Sequence, residues 1–222
     1  MPVIALLQEK GGSGRTTLAT NLAAAAHLAG SRSLVIDLDT QGSAFEWSLK
    51  RSEGSALSAV VVVRAVAESS RRKAKAQPLT ASTLLEMGRG YDAVFLDGPP
   101  RLDALTLAAA VAADVVVMPV QSGPYDVWAA GTTLEALDQA DAIRAELGKK
   151  PVRRFFVLNR ANPRETLTAE TRAELEDVGC LAGIVGQRTI FKKSAACGEA
   201  VGTVEPKGAA AIEIRRVWRS IR

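Results

Sequence analysis

The sequence predicts an α/β fold: a mostly parallel sheet flanked by helices on both faces. Three observations predict it. Short apolar runs alternate with helical stretches from one end of the 222 residues to the other. Several of those runs are unbroken Val, Ile and Leu, the pattern of strands buried on both faces. A glycine-rich segment lies directly between the first strand and the first helix. Alternation of this kind implies right-handed crossovers within one sheet. The length, with 47% hydrophobic residues, suits a single domain over residues 1–222. Aromatics are scarce at 5%, so the expected core is built of Ala, Val and Leu.

Taken in order, the strands read Val3–Leu7, Ser33–Asp37, Ala59–Val63, Ala93–Leu96, Val115–Pro119, Arg154–Leu158 and Gly183–Val185. The helices read Thr16–Leu28, Thr80–Gly88, Arg101–Ala112, Tyr125–Leu147, Glu170–Asp177 and Ala209–Ile221. Between Glu68 and Gln77 the chain turns polar and basic (Arg71, Arg72, Lys73, Lys75), which reads as a solvated loop or helix end. Pro78 and Thr80 then mark a helix start. No basic segment precedes Val3, so no signal peptide is expected. Charged residues interrupt every apolar stretch short of about 18 residues, so a cytoplasmic location is expected.

Cys180 and Cys197 stand far apart, and His27 is the single histidine. No CxxC pair occurs, which argues against a zinc or iron–sulfur site within one chain. Two buried or inert thiols are the expectation. The net charge of +4 is unevenly placed. Residues 148–222 carry 15 Lys/Arg against 8 Asp/Glu, and residues 1–147 carry 13 against 16. A basic C-terminal third suits a polyanion, either nucleic acid or anionic lipid.

The first strand runs into Gln8-Glu9-Lys10-Gly11-Gly12-Ser13-Gly14-Arg15-Thr16-Thr17 and then a helix. This is the placement of a phosphate-binding P-loop. Glycines let backbone N–H groups approach phosphate oxygens, and the helix N-terminus adds partial positive charge. Thr16 stands where such a loop puts its Mg²⁺-binding hydroxyl. Two positions depart from GxxxxGK[ST]: Glu9 replaces the first glycine, and Arg15 replaces the lysine. Guanidinium is larger and planar, so it can bind phosphate yet track a transferring phosphoryl group poorly. Retained nucleotide binding with slowed hydrolysis is the expectation.

The string from Lys10 to Thr17 resembles the deviant Walker A motif, KGGxGK[ST]T, of the ParA/MinD ATPases. The resemblance extends over nearly the whole chain. Asp37-Leu38-Asp39-Thr40-Gln41 ends the second strand where that family has DxDPQ, with Thr40 in place of proline. Carboxylates at a strand's C-terminal end face the ligand crevice of an open α/β sheet, although a turn with helix-capping acids is the alternative. Tyr91 to Pro100 resembles a Walker B strand ending in Asp97, followed by a switch loop. Val115 to Asp126 resembles the next strand and loop, with Ser122, Pro124 and Asp126 near the family's dimer face; a helix start with proline in its first turn reads equally well. The small size and the KGGSG spelling are similar to the short, ParF-type plasmid partition proteins. The nitrogenase iron protein is set aside, because no cysteine follows Asp97 until Cys180.

The resemblance implies a P-loop NTPase with ATP/ADP and Mg²⁺ as ligands. It implies nucleotide contacts from Gly11, Gly12, Ser13, Gly14, Arg15, Thr16 and Thr17, with Asn159 at the adenine and Pro206 in a loop closing over the base. Thr16, Asp37 and Asp97 are the expected metal residues, and Asp39 the residue orienting the attacking water. Lys10 is expected to cross to the partner's nucleotide in an ATP-dependent homodimer, so that Lys10, Arg15 and Asp39 carry the chemistry. Nonspecific DNA is the expected track, held by Arg188, Lys192, Lys193, Arg215, Arg216 and Arg219. A small centromere-binding partner, ParB-like or ribbon-helix-helix, would stimulate hydrolysis, and the location would be nucleoid-associated. The alternatives are a protein cargo and a membrane. Ile214, Val217, Trp218 and Ile221 form an apolar stripe that fits a short interfacial helix or a helix packed on its own domain.

Overall fold

A computed structural model describes residues 1–65 and 79–222. The basic stretch read as a loop between Glu68 and Gln77, with Pro78, lies outside the described residues. The strands are β1 (Val3–Leu6), β2 (Ser33–Asp37), β3 (Val61–Arg64), β4 (Ala93–Asp97), β5 (Val115–Val120), β6 (Arg153–Ala161) and β7 (Cys180–Gly186). The helices are α1 (Arg15–Leu28), α2 (Ser43–Leu49), α3 (Ala81–Met87), α4 (Ala104–Ala112), α5 (Pro124–Glu146), α6 (Thr166–Val178), α7 (Thr189–Ala196), α8 (Val201–Val204) and α9 (Ala209–Ile221).

The seven strands form one sheet in the order β3-β2-β4-β1-β5-β6-β7, and every neighbouring pair is parallel. Side chains alternate between two apolar layers, as strand geometry requires. Ile4, Leu6, Val35, Phe95, Val115 and Val117 point into the layer under α1 and α9. Val3, Ala5, Leu34, Ile36, Val94, Val116 and Met118 point into the layer under α3, α4 and α5. The inner strands β1, β2, β4 and β5 are buried throughout, which is why they carry no polar alternation. Pro119 lies in β5 without breaking it, because β1 pairs only as far as Val117 on that side.

Three helices were not foreseen: α2, α7 and α8 are 7, 8 and 4 residues long, too short to show a period. The helix expected from Arg101 starts at Ala104 instead, because Asp103 caps it by accepting from Leu105 N and Thr106 N. Strand β7 begins at Cys180 rather than Gly183, and Cys180 and Cys197 are free and exposed, not buried. The apolar stripe of α9 lies inside the core: Ile214, Val217, Trp218 and Ile221 are buried against β7 and α1, and the Trp218 ring is 5.8 Å from Phe95.

Candidate nucleotide site at the strand ends

The sheet order puts the C-terminal ends of β1, β4 and β2 side by side. Leu6 pairs with Asp97, and Asp37 pairs with Asp97. The loop after β1 therefore faces two strand-end acids across one crevice.

The loop is held by polar side chains, of which Gln8 and Thr133 are buried. The Gln8 side chain is 2% exposed. Its Oε1 accepts from the Thr133 hydroxyl at 2.7 Å and from Glu9 N at 2.9 Å. Gln121 Nε2 donates to Gly12 O at 2.9 Å. Gly12 and Gly14 have φ of 76° and 104°, a left-handed backbone that favours glycine. A Cβ at Gly14 would also run into the Asn159 amide. Gly14 caps α1 without any side chain, so the first N–H groups of that helix are left to an external acceptor. Among the described residues nothing would meet a Cβ at Gly11 or Gly12, which leaves open space over the loop. These features fit a phosphate chain.

Arg15 is 7% exposed and folds back beneath the loop. Its Nε donates to Gly98 O at 3.1 Å, and Nη1 donates to Lys10 O at 3.1 Å and to Gln8 O. The guanidinium thus ties the P-loop to the loop after β4. Burial lowers its pKa, opposed by the charges of Asp97 and Asp39, and an arginine so placed remains a cation.

Asp97 is wholly buried, and neither carboxylate oxygen has a hydrogen-bond partner among the described residues. Burial raises its pKa to about 7; the Thr16 hydroxyl counteracts this in part, and Asp37 adds to it. An orphaned carboxylate beside a half-buried threonine hydroxyl fits a hydrated Mg²⁺. Among the described residues no three Asp, Glu, His or Cys side chains converge on one point. A cation here would accordingly take its remaining oxygens from nucleotide and water, the usual habit of Mg²⁺.

Asp37 is placed differently from a direct ligand. Its Oδ1 accepts from Asp39 N at 3.1 Å and its Oδ2 from Phe45 N at 2.9 Å. It anchors the loop and the start of α2, the capping role weighed as the alternative. Burial raises its pKa against those hydrogen bonds. Asp39 is half-buried on the same loop, and its Oδ1 accepts from Gln41 N at 2.9 Å. Lys10 Nζ lies 2.7 Å from Asp126 Oδ2 in the first turn of α5, so the signature lysine is folded onto its own chain.

Asn159 Nδ2 donates to Ser13 O at 2.7 Å, which places the end of β6 against the P-loop. A cavity of about 330 Å³ opens there, lined by Thr17, Asn159, Arg160, Gln187, Arg188 and Phe191 among others. Pro206 is not among its lining residues and lines a different cavity, between α1 and α9. The loop that reaches the Asn159 cavity is the one after β7, carrying Gln187 and Arg188. Gln187, Arg160, Gln121 and Thr133 carry no sequence signal: an isolated polar residue in a loop or long helix looks like surface.

The basic residues divide. Arg188 pairs with Glu213 at 2.6 Å, so its charge is compensated within the chain. Arg215 donates to Pro206 O at 2.7 Å. Lys192, Lys193, Arg216 and Arg219 are exposed on α7 and α9, and none has an ion-pair partner among the described residues.

Comparison with known proteins agrees with this geometry. The model of the CobQ/CobB/MinD/ParA nucleotide-binding domain matches residues 4–201. The chain is 28% identical over 222 residues to maintenance of carboxysome distribution protein A of Halothiobacillus neapolitanus, covering 98% of this chain and 95% of that protein. It is 36% identical over 161 residues to the chromosome-partitioning ATPase Soj of Thermus thermophilus, covering 63% and 62% of the two chains. The Cyanothece McdA–ATP complex superposes with a TM-score of 0.77 at 16% identity, covering 99% of this chain and 95% of that one.

Proposed function

The chain belongs to the CobQ/CobB/MinD/ParA nucleotide-binding family, and from that membership we propose that it is an ATP-dependent dimerising switch that binds nonspecific DNA and positions a DNA cargo with a centromere-binding partner. The observation that carries the switch is the orphaned Asp97 carboxylate beside Thr16, at the mouth of a glycine cradle.

The loop N–H groups and the α1 terminus bind and orient the phosphate chain. Mg²⁺, when bound, supplies positive charge to the terminal phosphate oxygens. Thr16 and Asp97 hold it, and Asp37 fixes the loop that carries Asp39. Asp39 orients the attacking water. Lys10 must leave Asp126 before it can reach a second chain. Arg15 connects nucleotide occupancy to the loop after β4 through Gly98 O. In a two-fold dimer the cations of α7 and α9 are doubled, which favours a phosphate backbone without reading its bases.

A second reading is favoured by the end-to-end similarity to a carboxysome distribution protein: the same switch positions a protein cargo, with DNA as the track. The membrane alternative has no such support, because the α9 stripe is buried.

The test is binding to a fluorescent duplex of arbitrary sequence with ATP, ADP or no nucleotide, in parallel with the Arg15→Lys variant. Binding with ATP alone supports the switch. Binding in no state by either protein, with nucleotide bound normally, refutes DNA as the track.

A further inference from the structure

A second cavity, of about 450 Å³, lies along the later turns of α1, between α1 and α9. Its floor is apolar: Ala25 and Leu28 from α1, and Ala211, Ile214 and Trp218 from α9. Its rim is cationic: Arg215, Arg219 and Arg222 recur along one side of α9 and its C-terminal cap, and among the described residues no acidic side chain lines the cavity. Arg215 is held by the Pro206 carbonyl at 2.7 Å, which fixes one guanidinium at the mouth. Arg219 and Arg222 have no ion-pair partner among the described residues. Trp218 is 6% exposed, and its indole N–H has no acceptor among the described residues.

The volume falls within the range of small-molecule sites, and such sites combine apolar walls with a few charged groups that fix orientation. The chemistry of the lining selects the ligand. A fully polar anion would leave the apolar floor uncovered. A neutral hydrocarbon would make nothing of three arginines. We propose that the α1–α9 cavity is a binding site for a small amphipathic anion, an acyl-chain carboxylate whose tail lies on Leu28, Ile214 and Trp218 and whose head pairs with Arg219 and Arg222. The site is independent of the nucleotide reading. It is nevertheless connected to the P-loop, because Asn21 lines it and bridges Thr17 O at 2.8 Å and Val201 N at 3.0 Å.

The experiment is calorimetric titration of the full chain, without nucleotide, using decanoate, decylamine, decanol and acetate below their aggregation concentrations. Decanoate is expected to bind once per chain, at least about tenfold more tightly than the other three, because tail burial and charge pairing act together. Ala29 is exposed at the rim, so Ala29→Trp fills the mouth without entering the core. It is expected to abolish decanoate binding while the far-ultraviolet spectrum is retained. Arg219→Ala with Arg222→Ala is expected to weaken binding at least about tenfold and to remove its dependence on salt. Equal binding of all three ten-carbon ligands would overturn the proposal, since adsorption to apolar surface needs no arginine. So would decanoate binding that survives Ala29→Trp in a folded protein. Vesicles of phosphatidylglycerol separate the two sources of an anionic acyl chain: capture by vesicles with no uptake of free decanoate would also overturn it.

Discussion

At the scale of single residues, the acid at the end of β4 gives the sharpest test. Asp97 has no hydrogen-bond partner among the described residues, and burial raises its pKa to about 7 from 3.8. A raised acid is disfavoured as its anion in the folded chain. The penalty is absent below the unfolded value near pH 4, grows between there and pH 7, and is fully present above it. Asp97→Asn removes that penalty. In nucleotide- and metal-free protein the variant should therefore gain roughly 2–3 kcal/mol over the parent between pH 5 and pH 8, read by denaturant unfolding at both values. A gap that is the same at both would show that Asp97 is an ordinary carboxylate. Arg15 makes the opposite case, a charge fully engaged by carbonyls. Arg15→Lys gives up the fork that spans Gln8, Lys10 and Gly98, but frees a point charge for the phosphate chain. Phosphate release per mole should rise at least about tenfold, with fluorescent-nucleotide affinity nearly unchanged. An unchanged turnover would place the rate limit elsewhere, in dimer closure or partner contact. Lys10 bears on that step. Lys10→Ala should bind nucleotide normally and stay monomeric with ATP in light scattering, whereas dimerisation equal to the parent's would remove Lys10 from any interface role.

At the scale of elements, what the sequence made legible follows from how each element is stabilised. The inner strands β1, β2, β4 and β5 read plainly, because burial on both faces demands unbroken apolar runs. The glycine cradle and the acids at Asp37 and Asp97 read plainly for a similar reason: backbone approach and strand-end placement leave few residue choices. Helix α2 was hidden because its start is secured by a distant group. Asp37, on β2, accepts from Phe45 N, so the helix carries no capping residue of its own. Pro206 was singled out on spelling alone, and a Pro-Lys-Gly turn looks alike wherever it falls; the fold puts Pro206 at the α1–α9 cavity and the loop after β7 near Asn159. The α9 stripe reads as amphipathic in either of two settings, and packing against β7 decides between them. Trp218→Ala should accordingly cost about 3–5 kcal/mol of stability, measured by denaturant unfolding. A variant with unaltered stability but lost vesicle binding would restore the membrane reading for that helix.

At the scale of the whole molecule, charge is divided by sequence and reunited by symmetry. The first 147 residues carry a net negative charge and the last 75 a net positive one. Of the six cations expected to hold DNA, Arg188 is compensated by Glu213 within the chain and Arg215 is engaged by a carbonyl. Lys192, Lys193, Arg216 and Arg219 remain. Counterion release makes the number of phosphate contacts measurable: the logarithm of the binding constant falls with the logarithm of salt by about 0.9 per contact. If the ATP-bound form is a two-fold dimer with both copies on one duplex, each substitution removes two contacts. Arg216→Ala should then reduce the slope by about 1.8 with ATP. A chain bound singly would lose only about 0.9. The same titration with Arg188→Ala should leave the slope nearly unchanged, because that arginine already neutralises Glu213. The pair of variants thus separates two claims that affinity alone confuses. A slope change of about 0.9 for Arg216 means DNA binding without the dimer. A change for Arg188 as large as that for Arg216 means that the Glu213 pair opens on DNA and that the basic surface extends to the mouth of the Asn159 cavity.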